Sequence, residues 1–193
     1  MFGGRSWRHL CIDMQRMFAE DTPWHVDWME QVRPQIEEIS GRYADLTVFT
    51  RFVPPLTGAE APGAWRQYFE KWSMMTREHL PHEMVDILPI FRRMVPPAQV
   101  FDKRAYSPWA DGRLHQQFQR EYVEGIVLTG GETDVCVLAT AFGAMDLGYR
   151  ILVLSDAVCS GADETHDAAL KLLQDRFSLQ LDVCTTDEFL SRL

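Results

Sequence analysis

Six short apolar runs alternate with amphipathic stretches along this chain, and that alternation limits its fold more than any other feature. The runs are 9–13, 46–50, 99–102, 125–129, 150–156 and 180–184. Between them lie stretches of helical periodicity at about 26–41, 64–79, 111–122, 134–147 and 163–177, with a short one at 187–192. Such an order predicts right-handed βαβ crossovers. The expected architecture is α/β: three layers, with a mostly parallel six-stranded sheet covered by helices on both faces. The chain has 193 residues, enough for one full core and too few for two, so one domain spanning 1–193 is expected. Pro54-Pro55, Pro62, Pro81, Pro89 and Pro96-Pro97 punctuate 51–98, the least regular part, where loops on the substrate side are expected.

Composition removes several classes of function. The net charge is −9, with no Lys/Arg-rich run, which argues against nucleic acid as a partner. No stretch is long and apolar enough to span a membrane, and Met1 to Leu10 lack the apolar core of a signal peptide. Four cysteines without tight pairing fit a reducing compartment, so a cytoplasmic location is expected.

Cys136 is the most telling single residue. It follows the strand-like run 125–129 and Gly130-Gly131, and Thr133 or Asp134 can cap a helix that begins there. A thiol in the first turn of such a helix meets free N–H groups and the positive end of the helix dipole, which biases it toward thiolate. It also lies where an open α/β sheet places its ligands. A free cysteine is more often a buried space-filler, and Cys11, Cys159 and Cys184 read that way. Two further residues set Cys136 apart. Asp13 ends the first run, where an aspartate is commonly a cap or a turn former. Lys103 ends the third, where a lysine is commonly a surface residue. In a parallel sheet all three fall at one edge, so a nucleophile, a carboxylate and a cation converge.

These residues carry a resemblance. Ile12-Asp13-Met14-Gln15, Asp102-Lys103-Arg104 with Tyr106-Ser107, Thr133-Asp134-Val135-Cys136-Val137, Ala141 through Gly148-Tyr149, and Ser155-Asp156-Ala157 with Ser160 resemble the isochorismatase-like cysteine hydrolases in order and spacing. The resemblance covers nearly the whole chain. It implies a Rossmann-like single domain and an Asp–Lys–Cys triad at Asp13, Lys103 and Cys136. It also implies a cis peptide between Gly131 and Glu132, and an oxyanion hole formed by the backbone N–H groups of Glu132 and Cys136. The implied chemistry is attack of the thiolate on an amide or ureide carbonyl, with release of an amine and hydrolysis of a thioester.

The chain departs from the nicotinamidase branch of that family. Phe52 and Pro54 stand where its metal-binding Asp and His would be, so neither a metal nor another cofactor is expected. His79 and His82 near Glu83 are interrupted by Pro81 and read as solvated, and His166 reads as a helix start. Phe18, Trp24, Phe52, Tyr106 and Trp109 are the candidate pocket residues for a small-molecule substrate. Arg51 and Arg104 are candidates for a substrate carboxylate. Trp65, Phe69 and Trp72 fall at helical spacing and read first as a core or interface stripe. That apolar area, with the habit of the family, leads to the expectation of a homo-oligomer, a dimer or tetramer. Three other readings stay open: hydrolysis of an isochorismate-type vinyl ether, a thiol redox role for Cys136, and a catalytically idle member acting as a binding or assembly module.

Overall fold

The structure is a computed structural model that describes residues 6–193; residues 1–5 of the expected domain lie outside the described residues. Six strands form one sheet: β1 (Trp7–Ile12), β2 (Thr47–Phe52), β3 (Gln99–Lys103), β4 (Gly125–Gly131), β5 (Arg150–Cys159) and β6 (Leu181–Cys184). The helices are α1 (Arg16–Ala19), α2 (Met29–Arg42), α3 (Trp65–Lys71), α4 (Pro89–Arg92), α5 (Arg113–Arg120), α6 (Leu138–Asp146), α7 (Asp163–Arg176) and α8 (Thr186–Ser191). The strand order is β3-β2-β1-β4-β5-β6, and every neighbouring pair is parallel. The order reverses between β1 and β4, so a crevice opens beyond the carboxyl ends of those two strands.

Alternate side chains of each strand enter opposite layers. From β1, Trp7 and Cys11 join one core with Ile36 of α2, Phe91 of α4 and Phe189 of α8. Leu10 and Ile12 join the other, with Phe118 of α5, Ala141 of α6 and Leu173 of α7. Both faces are thus apolar, which is why the strands read as continuous apolar runs.

Most boundaries shift by a few residues from those expected, and three of the differences have a visible physical cause. β4 continues two residues past Thr129, because Gly130 pairs with Ile12 and Gly131 with Cys159. The stretch 64–79 is not one helix: α3 ends at Lys71 and a single 3₁₀ turn, Ser73–Met75, follows. The N–H groups of Arg77 and Glu78 bond instead to the carbonyls of Pro55 and Leu56, which ties this segment back onto the chain after β2. The helix after β4 opens as a π-turn, Thr133–Val137, and becomes α-helical only from Leu138. The proline-rich region 51–98 is irregular but packed. Phe52, Phe69, Met75, Leu80 and Val85 form a third core with Met17 of α1.

Candidate active site

Three strand ends deliver three functional side chains to the crevice. Asp13 follows β1 with φ of 49°, a left-handed conformation that aspartate tolerates better than most residues. Thr50 of β2 donates its hydroxyl to Asp13 Oδ1 at 2.6 Å and accepts the Asp13 N–H at 3.1 Å. Lys103, the last residue of β3, places its Nζ 2.6 Å from Asp13 Oδ2. The same ammonium lies 3.6 Å from Cys136 Sγ and donates to the Ala105 carbonyl at 3.1 Å. Asp13 and Lys103 are 1% and 2% exposed, so this is an ion pair taken out of water. Oδ2 takes the Lys103 ion pair, and a carboxylate oxygen so placed still has a lone pair for a proton.

Gln15 holds this arrangement against the loops. Its side-chain NH₂ donates to the carbonyls of Phe52 and Val85, and its Oε1 accepts the Phe52 N–H at 2.7 Å. A buried glutamine with its amide so fully used is a clamp, not a reactant. The sequence holds it in plain sight beside Asp13, but only the fold brings it to Phe52 and Val85.

Electrostatics corrects one expectation. The Cys136 thiol is not biased toward thiolate. Burial pushes it well above the ordinary cysteine range; the Lys103 ammonium opposes this, and the Asp13 carboxylate adds to the rise. Burial alone would lower the Lys103 ammonium, yet the Asp13 carboxylate beside it overcomes this and holds Lys103 above its usual value. The resting site is therefore a buried ammonium beside a carboxylate and a neutral thiol.

The backbone around Cys136 is fixed from several sides. The Gly131–Glu132 peptide is cis. The Glu132 carbonyl accepts the N–H groups of Val135 and Val137. Asp134 accepts hydrogen bonds from the hydroxyls of Ser160 and Thr165, and His166 Nδ1 meets the Thr133 hydroxyl at 2.9 Å. His166 thus ties α7 to the π-turn.

A cavity of about 370 Å³ opens on Cys136. Phe18, Trp24, Phe52 and Tyr106 line it, joined by Tyr68 and Trp72. Trp65 and Phe69 stand behind them, Phe69 buried and Trp65 4.7 Å from the Tyr106 ring centre. Trp109 does not reach the cavity. Its indole N–H donates to the Thr140 carbonyl at 2.9 Å and its ring stacks on Tyr149, on the far side of the helix that follows Cys136. An indole N–H buried in a core needs such an acceptor, and α6 supplies it. Arg51 is also engaged elsewhere, bonding both carboxylate oxygens of Asp102 and one of Asp86, while Arg104 is exposed and not part of the lining.

Phe52 packs under the Lys103 ammonium, 5.3 Å from Nζ to the ring centre, and the Pro54 carbonyl accepts from Arg77. The His79 ring is hydrogen-bonded to the Thr76 hydroxyl. Among the described residues no three His, Cys, Asp or Glu side chains are grouped to hold a metal ion, and no helix is long and apolar enough to cross a membrane.

Residues 9–188 match the isochorismatase domain. The chain is 33% identical over 91 residues to an uncharacterized isochorismatase family protein of Bacillus subtilis, a match covering 47% of each chain. It spans about half the length of the curated relatives it matches. Among solved structures, a cysteine hydrolase from Pseudomonas syringae superposes with a TM-score of 0.82 at 19% identity, covering 97% of this chain and 92% of that one. N-carbamoylsarcosine amidase from Thermoplasma acidophilum superposes with a TM-score of 0.73 at 19% identity, covering 94% and 96%. At this identity the likeness is one of fold.

Proposed function

This chain belongs to the isochorismatase family of hydrolases, and from that premise we propose that it is a metal-independent cysteine hydrolase of a non-peptide C–N bond in a small molecule, an amide, carbamoyl or ureide. The observation that carries this reading is the buried constellation of Asp13, Lys103 and Cys136, with the Lys103 ammonium 2.6 Å from Asp13 Oδ2 and 3.6 Å from a neutral thiol.

Asp13 accepts the thiol proton as the sulfur attacks the carbonyl carbon. Coupling the two steps avoids a free buried thiolate, which burial disfavours here. Lys103 keeps positive charge beside both the carboxylate and the developing thiolate. The backbone N–H groups of Glu132 and Cys136 receive the oxyanion, in a turn braced through the Glu132 carbonyl. Asp13 returns the proton to the leaving nitrogen, the C–N bond breaks and an amine or ammonia departs. A water that gives its proton to Asp13 then attacks the Cys136 thioester; the acid leaves and the thiol is restored. Every residue the steps need is in the chain, and Phe52 and Pro54, at the positions where the resemblance would place metal ligands, offer no metal-binding side chain.

The course is tested by acid-quenching turnover of a slow substrate and weighing the intact protein. The expected result is an adduct equal to the acyl fragment, mapped to Cys136 and absent from Cys11, Cys159 and Cys184. Cys136→Ala should lose both the adduct and turnover, by about three or more orders of magnitude. Vinyl-ether hydrolysis would leave no adduct, and a redox role would add oxygen or form a disulfide. Turnover with no acyl adduct under any quench would overturn the covalent course.

A further inference from the structure

The cavity in front of Cys136 has an uneven supply of charge. No lysine or arginine belongs to its described lining. The nearby cations are engaged: Lys103 with Asp13, Cys136 and the Ala105 carbonyl, Arg51 with Asp102 and Asp86, and Lys71 with the Trp72 ring. His25 is at the lining, but its ring nitrogens meet the Glu20 carbonyl and the Asp27 carboxylate, each at 3.0 Å.

The neutral and acidic groups, by contrast, are open, the buried Trp24 indole N–H among them. Glu132 Oε2 accepts the Gly161 N–H at 3.0 Å, and no described residue donates to Oε1. The hydroxyls of Tyr68 and Tyr106 lie close to Glu132 and Cys136, have no hydrogen-bond partner among the described residues, and can donate as well as accept. Burial holds the Glu132 carboxyl above the ordinary glutamate range, with the Gly161 N–H pulling it back and Asp134 adding to the rise. That is the condition of a carboxylate lacking a cation. The remaining wall is aromatic: Phe18 and Trp24 stack on each other, and Trp72 takes the Lys71 ammonium over one face, 5.0 Å from its ring centre.

A substrate carboxylate here would meet no cation in the lining and would sit beside Glu132, with only the neutral Trp24 N–H and the tyrosine hydroxyls to receive it. A cation would meet both a carboxylate and electron-rich rings, the combination that recognises ammonium and methylated ammonium groups. We infer that the substrate of this cavity carries a cationic nitrogen group, ammonium or alkylated ammonium, on the part of the molecule distal to the scissile carbonyl, and no carboxylate. The inference rests on the reading of Cys136 as the nucleophile only for where that carbonyl sits. The charge preference follows from the walls alone.

Three small amides alike except for the distal group test it: trimethylammonioacetamide, its neutral isostere 3,3-dimethylbutanamide, and malonamate. Binding is measured by calorimetry on Cys136→Ala, so that no turnover intervenes. The ammonium compound should bind about tenfold or more tightly than its isostere, and malonamate weakest of the three. Glu132→Gln and, separately, Trp72→Leu in the same background should each shrink the ammonium-to-neutral ratio by about threefold or more, a ratio that cancels any general weakening. Equal binding of the isosteric pair, tighter binding of malonamate, no binding of the ammonium member, or a ratio unmoved by both variants would overturn the inference. Ammonia release by the unmodified protein is scored separately. Selective binding without any release would sink the amidase reading while leaving the charge preference standing; release without selectivity would do the reverse.

Discussion

Lys103 and Asp13 occupy almost no solvent-exposed surface and stand 2.6 Å apart, so each makes the other's charge tolerable. Removing one partner leaves a buried, unpaired charge, which costs about 3–5 kcal/mol in comparable settings, while removing both together costs far less. Set against a total stability of about 5–15 kcal/mol, that is a large share. Lys103→Met should therefore lose stability as well as activity, and Asp13→Asn with Lys103→Met should be more stable than Lys103→Met alone. Urea unfolding of the three proteins decides it; a Lys103→Met midpoint equal to the unmodified protein would mean the pair is not held as charges. Residue identity in the sequence was sufficient to nominate these two side chains, because a polar group ending an apolar run is conspicuous, and Cys136, because it opens the helix that follows one. The protonation state of the thiol was not legible. It depends on how completely the third core and the loops bury the sulfur, and no local pattern around Cys136 reports that.

The strands that hold these side chains depend on one close approach. Gly130 of β4 has φ of 98°, and a Cβ built there would fall 2.1 Å from the Ile12 carbonyl oxygen, one residue before Asp13. Both the dihedral and the space exclude a side chain, and the obstacle is backbone, which cannot swing aside. Gly148, after α6, has φ of 83° but open space around its Cβ position. Gly148→Ala should thus cost about 1–2 kcal/mol from its left-handed conformation alone. Gly130→Ala should cost more, and should also depress turnover, since it pushes the ends of β1 and β4 apart between Asp13 and Cys136. Thermal unfolding and activity of the two variants check this; a Gly130→Ala protein as stable and active as Gly148→Ala would show that the strand ends yield without consequence. Elements were legible where their periodicity is simple. The Gly130-Gly131 pair reads as the stop of a strand, but the fold uses it to continue β4 alongside β1 and β5. The π-turn at Thr133–Val137 likewise has no sequence period of its own; it is imposed by bonds from Asp134 to Ser160 and Thr165 and from Thr133 to His166, residues distant in the chain.

For the molecule as a whole, the sheet's two apolar faces made the architecture readable: six runs separated by crossovers leave few alternatives to a parallel sheet with both sides covered. The side chain within β1 that breaks this apolar rule sets how the protein should respond to acid. His9 is fully buried, its ring nitrogens 3.1 Å from the Thr47 hydroxyl on β2 and 2.7 Å from the Thr129 hydroxyl on β4, so it bridges three adjacent strands. Burial lowers it from 6.5 to about 3. The unfolded chain protonates this histidine near its ordinary value while the folded protein keeps it neutral. Between the two values the unfolded state binds the extra proton, so stability rises with pH. The contribution of His9 is complete above about pH 6.5, and it is lost at up to about 1.4 kcal/mol per pH unit as the pH falls toward about 3. Urea midpoints at about pH 7, 6 and 5 should therefore decline in the unmodified protein above the range where most carboxylates titrate. His9→Gln can still meet both hydroxyls but cannot take up a proton, so it should start less stable and decline less steeply over the same interval. Parallel declines in the two proteins would show that His9 does not hold the sheet as a buried neutral ring.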